Sequence, residues 1–171
     1  FGDGAGAAVV EQVSSDSGRR IINSHLRSDG NLWDLLYVPA GGSNVEVTPE
    51  RYAKKLHKLK MKGKGLFKVA VKTLADFALQ ALKKNHMTAD DLDWFVPHQA
   101  NYRIIEAVAN RLEFPMRKII VNVDRFGNTS AATIPTALDE ANRDGRIKKG
   151  QTVLLTAFGA GLTYGSILMR W

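Results

Sequence analysis

The chain has 171 residues, of which 44% are hydrophobic and 24% charged, the make-up of one globular domain with room for at most a small second one. No apolar run approaches the roughly 20 residues that cross a bilayer and no basic-then-apolar leader opens the sequence, so neither a membrane span nor secretion is expected and the compartment reads as cytoplasmic. The absence of cysteine excludes disulfides and thiolate metal sites, and the net charge of +7 turns attention to anionic partners. The four histidines (His25, His57, His86 and His98) are scattered, so no metal centre is expected. Phe1 and the run FGDGAGAAVV read as the continuation of something already folded, which suggests a piece of a longer polypeptide.

In chain order, AGAAVVEQV and RRIINSHLR read as Val- and Ile-rich strands separated by the turn cluster SSDSG. LWDLLYV reads as a further short strand and PAGGSNVEVTPE as a loop. From Arg51 to Lys72 nine basic residues occur without an acidic one. Such a face attracts a nucleic acid, a phosphorylated cofactor or an acidic protein, or is simply a solvated surface. Nucleic acid is disfavoured, because no aromatic residues interleave regularly with the charges to stack on bases.

Phe67, Ala70, Val71, Leu74, Phe77, Ala78, Ala81 and Leu82 recur at three- and four-residue spacing and predict an amphipathic helix. Thr88 with Asp91 caps a short turn, DWFVP is a strand, and YRIIEAVANRL is a helix with Ile104, Ile105, Val108 and Leu112 inward. KIIVNV is predicted as a strand and TSAATIPTALDEANRDG as a helix that Gly145 ends. Within that helix Pro135 demands either a kink or a late start. QTVLLTAFG and LTYGSILMRW close the chain as a hairpin through Gly159-Ala160-Gly161. Alternating strands and helices imply an α/β layered fold, with a mixed sheet covered by helices on both faces.

Ligands of open α/β sheets gather at the carboxyl ends of strands. Here FVPHQAN, DRFGNTSAA and FGAGLTYG follow three successive predicted strands and carry His98, Asn128 and a Gly-rich turn. Just ahead of a helix, His98 is expected to stay neutral under the helix macrodipole and to offer Nε2–H as a donor; the alternative is a histidine that satisfies loop carbonyls. Asn128 either points its amide at a ligand or caps a turn. The glycine turn either presents backbone N–H groups to an oxyanion or is only a tight hairpin. The glycines of FGDGAGA do not follow a dinucleotide-binding spacing. A histidine and an asparagine that both donate suit stabilisation of negative charge on a thioester carbonyl.

VPHQAN, then DRFGNTSAATIPTAL, then AFGAGLTYGSILMRW, together with FGDGAGA and GLFKVAV, closely resemble the carboxyl-terminal half of the β-ketoacyl-[acyl-carrier-protein] synthase III family of thiolase-fold condensing enzymes. The resemblance implies that residues 1–171 form one of two similar halves, with the nucleophilic cysteine in the amino-terminal half, which this chain lacks. It implies no tightly bound cofactor, with a short acyl-CoA (acetyl-CoA foremost) and malonyl-acyl carrier protein as substrates of the first condensation in fatty acid synthesis. It assigns His98 and Asn128 to enolate stabilisation and the Ala160 backbone N–H to the oxyanion hole, at a position where the family usually has glycine. It puts Gly63, Phe67, Ala100 and Asn101 along the CoA/pantetheine tunnel. Lys68 and Arg103, with Arg111 as a weaker candidate, fall on the patch that receives the carrier protein. The partners implied are the amino-terminal half, acyl carrier protein and a second copy in a homodimer; nucleic acid and membrane are not among them. A related condensing enzyme of secondary metabolism and a non-catalytic CoA- or carrier-binding module are the alternative readings. Without a cysteine, the chain alone is expected to condense nothing.

Overall fold

A computed structural model describes residues 1–14 and 17–171. Strand β1 (Arg20–Ser28) is followed by a 3₁₀ turn (Gly30–Leu35), the two-residue strand β2 (Leu36–Tyr37), helix α1 (Pro49–Ala53) and the two-residue strand β3 (Lys60–Met61). Then come helix α2 (Gly63–Lys84), strand β4 (Trp94–Pro97), helix α3 (Tyr102–Arg111), the single-turn helix α4 (Val123–Phe126) and helix α5 (Thr133–Arg143). Strands β5 (Thr152–Gly159) and β6 (Thr163–Arg170) complete the chain. The main sheet runs β1-β6-β5-β4, with β4 parallel to β5 and the other pairs antiparallel, so it is mixed as expected. β2 and β3 form a separate small ladder.

Helices cover both faces of the sheet. Along α2, Leu66, Ala70, Leu74, Phe77, Ala78, Ala81 and Leu82 are buried at helical spacing and pack with α3 (Ile105, Val108) over Leu154, Phe158 and Leu168. On the other face Ala137 and Ala141 of α5 pack on Val96, Val153 and Leu155. Neighbouring residues of β5 thus serve opposite cores, which explains its unbroken apolar run. No helix among the described residues is long and apolar enough to cross a membrane.

Several boundaries differ from expectation. Residues 5–13 form no strand; they lie exposed, with no neighbouring strand among the described residues to complete a ladder. Part of the SSDSG turn lies outside the described residues. LWDLLYV is mostly the 3₁₀ turn, which Asp29 caps by accepting from the Asn31 N–H, and only Leu36 and Tyr37 pair as strand. KIIVNV contributes a single parallel bridge, Ile119 to Phe95, before Asn122 turns the chain into α4. The loop before α1 ends at Thr48, whose side chain caps that helix with Pro49 at its first position. Pro135 sits in the first turn of α5, where its missing N–H has no intrahelical partner to lose, so the late start is the outcome.

Phe1, Val9, Val10 and Leu26 are 77–95% exposed, concentrating bare apolar surface on the first segment and on β1, an edge strand.

Candidate active site

The carboxyl end of β4 and the β5–β6 turn open on the same side of the sheet, and a cavity of about 800 Å³ lies there. His98, Asn128 and Ala160, which the three predicted loops carry, all line it. Ala100 and Asn101 from the start of α3 line it too, with an apolar wall that includes Leu36, Met61, Leu66 and Phe158.

The three polar side chains of VPHQAN divide the work. The His98 N–H donates to the Thr156 carbonyl (2.8 Å), prolonging the β4–β5 ladder and fixing the backbone from which the ring projects. Gln99 is fully buried and belongs to the scaffold. Its amide donates to the Pro97 (2.8 Å) and Ile120 (3.1 Å) carbonyls, while its oxygen accepts from the Asn122 N–H (3.0 Å). It therefore ties β4 to the segment that leads into α4. Asn101 caps α3 by accepting from the Ile104 N–H at 2.9 Å.

The His98 ring is half-buried. Its Nδ1 lies 2.6 Å from Thr133 Oγ1, and Phe158 stands edge-on at 5.7 Å between centroids. Burial pushes its pKa down from the ordinary 6.5 to about 4, so the imidazole is neutral at physiological pH. The neutral state agrees with the sequence expectation, with desolvation as its cause. Asn128 takes the turn role: its Oδ1 accepts from the Ser130 N–H (2.8 Å), an Asx turn, and the residue lines the cavity. The loop is further held by the Gly2 N–H, which donates to the Asn128 carbonyl at 2.9 Å. Gly127 adopts φ +66° and ψ −163°, open essentially to glycine alone, and this turns the chain from α4 into Asn128. Ala160 occupies the exposed β5–β6 turn, with Gly161 beside it at φ +134°.

Two sequence assignments fall outside the cavity. Gly63 is the exposed first residue of α2, and Phe67 is half-buried against the core without lining the cavity; its neighbour Leu66, itself buried, lines the wall. Lys68 on α2 and Arg103 and Arg111 on α3 are all exposed, on two helices that pack together. Arg111 is 3.3 Å from Asp76, which also pairs with Lys72, so its charge is partly matched within the chain. Sequence reasoning missed Leu36, Met61 and Leu66, and it missed Thr133. Only the hydroxyl spacing of TSAAT at a helix start pointed toward Thr133, and that pattern is too common to single it out.

A family model described as 3-oxoacyl-[acyl-carrier-protein (ACP)] synthase III C terminal matches residues 82–171. A β-ketoacyl-[acyl-carrier-protein] synthase III of Clostridioides difficile is 49% identical across all of this chain, which covers 51% of that protein. Synthase III 1 of Vibrio parahaemolyticus is 52% identical with the same coverage. The chain thus spans about half the length of the curated relatives it matches. Among solved structures, the synthase III of Thermus thermophilus superimposes with a TM-score of 0.79 at 40% identity, over 95% of this chain and 49% of that one. That of Aquifex aeolicus gives 0.78 at 36% identity, over 92% and 46%. These superpositions give the chain the thiolase-like layered fold of those synthases, at half length.

Proposed function

The chain belongs to the 3-oxoacyl-[acyl-carrier-protein] synthase III family, and from that premise we propose that it is the carboxyl-terminal half of an acyltransferase that performs the first condensation of fatty acid synthesis. In this reading the amino-terminal half, which accounts for the other half of the relatives' length, supplies a cysteine that an acyl-CoA, foremost acetyl-CoA, acylates. Malonyl-acyl carrier protein then enters the cavity. His98 Nε2–H and the Asn128 amide donate to its thioester oxygen while the bond to the carboxylate breaks. The electron pair passes into an enolate and CO₂ leaves. The enolate carbon bonds to the acyl carbonyl carbon and the cysteine thiolate departs, giving 3-oxoacyl-acyl carrier protein. The Ala160 N–H stabilises the tetrahedral oxyanion of that step. No cofactor takes part.

The observation that carries this reading is the arrangement of leftover donors. His98 has Nδ1 engaged by Thr133, Asn128 has Oδ1 engaged by Ser130, and both side chains line one largely apolar cavity. Two neutral donors in such surroundings hold a developing negative charge more strongly than they would in water. The exposed Lys68 and Arg103, with Arg111 as a weaker contributor, make the face that receives the acidic carrier, and Ala100 and Asn101 flank the pantetheine path. In this reading the amino-terminal half and a second copy cover residues 1–14 and β1, whose exposed Phe1, Val9, Val10 and Leu26 support it, in a cytoplasmic homodimer.

The test is His98→Ala in the complete two-half enzyme. Malonyl decarboxylation is expected to fall by about 10²–10³-fold while acylation of the cysteine continues. Decarboxylation at the normal rate refutes the role given to His98.

A further inference from the structure

A neutral imidazole carries one proton, and the partner of the nitrogen turned away from the reaction decides which nitrogen holds it. For His98 that partner is Thr133, at the first residue of α5 and 1% exposed. Its Oγ1 lies 2.6 Å from His98 Nδ1 and 3.0 Å from the Ser130 carbonyl, so one hydroxyl proton faces two acceptors. The Ser130 carbonyl already receives the Thr133 backbone N–H. Nδ1 has no other hydrogen-bond partner among the described residues, and its contact with the hydroxyl is the shorter of the two.

We propose that Thr133 is the positioning residue that selects the His98 tautomer: its hydroxyl donates to Nδ1, so that the ring presents Nε2–H to the cavity. The inference rests on the reading of His98 as a donor to the enolate oxygen, and it names the group that makes the ring one. In the opposite arrangement Nδ1–H donates to Oγ1 and the hydroxyl turns to Ser130. An Nε2 lone pair then faces the oxygen on which negative charge develops, and the contact becomes repulsive. Thr133 touches neither substrate nor reacting atoms in this scheme; it acts only through the ring. Because Thr133 lies five residues after Asn128, one short segment orients both donors of the site.

The assignment is tested by ¹⁵N NMR of the chain with ¹⁵N-labelled histidine rings at neutral pH, where the two-bond couplings report which nitrogen is protonated. The expected result is Nε2–H in the unsubstituted chain and in Thr133→Ser, with loss of its predominance in Thr133→Val, which keeps the side-chain shape without the hydroxyl. In the complete enzyme, Thr133→Val is expected to lower the kcat of malonyl decarboxylation about tenfold with KM unchanged, and Thr133→Ser to restore it to within about threefold. A Nδ1–H ring in the unsubstituted chain, or an unaltered Nε2–H ring in Thr133→Val, overturns the proposal whatever the activity. So does a Thr133→Val enzyme with undiminished kcat. If Thr133→Val does not fold, the tautomer of the unsubstituted chain and of Thr133→Ser decides. Normal decarboxylation by His98→Ala would instead remove the functional reading and leave the tautomer assignment standing.

Discussion

Acidification charges His98 against the interior in which it sits, and the cost can be worked from its position. Burial lowers the folded-state pKa from 6.5 to about 4, so the folded chain binds this proton less readily than the unfolded chain does. The stabilisation is therefore fully present above pH 6.5, is lost as pH falls from 6.5 toward 4, and changes no further below that. At about 1.4 kcal/mol for each pH unit, the interval amounts to about 3 kcal/mol at most, because the half-buried ring keeps an edge on the open cavity. The aspartates act in a lower window. Asp34 is held below its ordinary 3.8 by its hydrogen bond with Lys62, Asp91 by the Thr88 backbone N–H, and Asp144 by Arg146. Their contributions are present above pH 3.8 and lost beneath it, so they leave the histidine window clear. Urea unfolding at a series of pH values, on the unsubstituted chain and on His98→Gln, isolates the effect: the two stability curves should separate above pH 4 and diverge up to 6.5. The proton on the carbon between the ring nitrogens should titrate near 4 in the NMR spectrum. Parallel stability curves, or a titration midpoint near 6.5, would refute the reasoning that desolvation governs this ring.

Two further substitutions probe the scaffold beneath the site. Gly127→Ala places a side chain at φ +66°, ψ −163°, while the new Cβ meets nothing nearer than the Gly2 nitrogen at 3.9 Å, so the cost is one of backbone strain. About 1–3 kcal/mol should be lost in thermal unfolding, and an unchanged transition would contradict the strain argument. Gln99→Leu keeps much of the side-chain bulk but strips partners from the Pro97 and Ile120 carbonyls and the Asn122 N–H. A loss of about 3 kcal/mol or more is expected by urea unfolding, and a loss under about 1 kcal/mol would show that those groups find other partners.

The elements that could be read in the sequence are those whose own residues settle them. α2 carries its buried stripe over 22 residues, and α3 has Asn101 as a cap and an apolar stripe of its own. The β5–β6 hairpin has its glycines, and Thr88 pairs with Asp91 at the start of the short turn, donating its N–H and hydroxyl to the carboxylate. The misreadings fall where a neighbour decides. Residues 5–13 have strand-like composition, but a strand is a pairing, and the described residues offer that segment none. KIIVNV begins beside β4 and is drawn off the sheet after one bridge, when Asn122 enters the turn whose N–H Gln99 holds. The cavity shows the same division. Residues after strand ends were locatable because the topology sends every such loop to one side. Leu66 and Phe67 are adjacent on a helix, and which of them reaches the cavity depends on how α2 is rotated against the sheet, a tertiary fact.

That rotation and the segment from Gly127 to Thr133 bear on one physical requirement. Two neutral donors can stabilise charge on a shared oxygen only if each has its other polar atom already engaged, since a free acceptor would either repel the oxygen or swing the group away. Under the proposed function that requirement is met from one place. The Ser130 N–H engages Asn128 Oδ1, and Thr133, whose backbone N–H is anchored on the Ser130 carbonyl, engages His98 Nδ1. Ser130 itself stands at φ +56°, a conformation uncommon for a side-chain-bearing residue, and its two backbone groups face the two systems they hold. The small residues around it are then intelligible without appeal to flexibility. Beyond Asn128 the Gly2 N–H pins the same loop, and a Cβ on Gly2 would come within 2.3 Å of the Phe126 carbonyl, so the first segment can approach closely enough to do so only as glycine. FGDGAGA, which carries no nucleotide-binding spacing, thus has a mechanical reason to be glycine-rich: it braces the loop that carries Asn128.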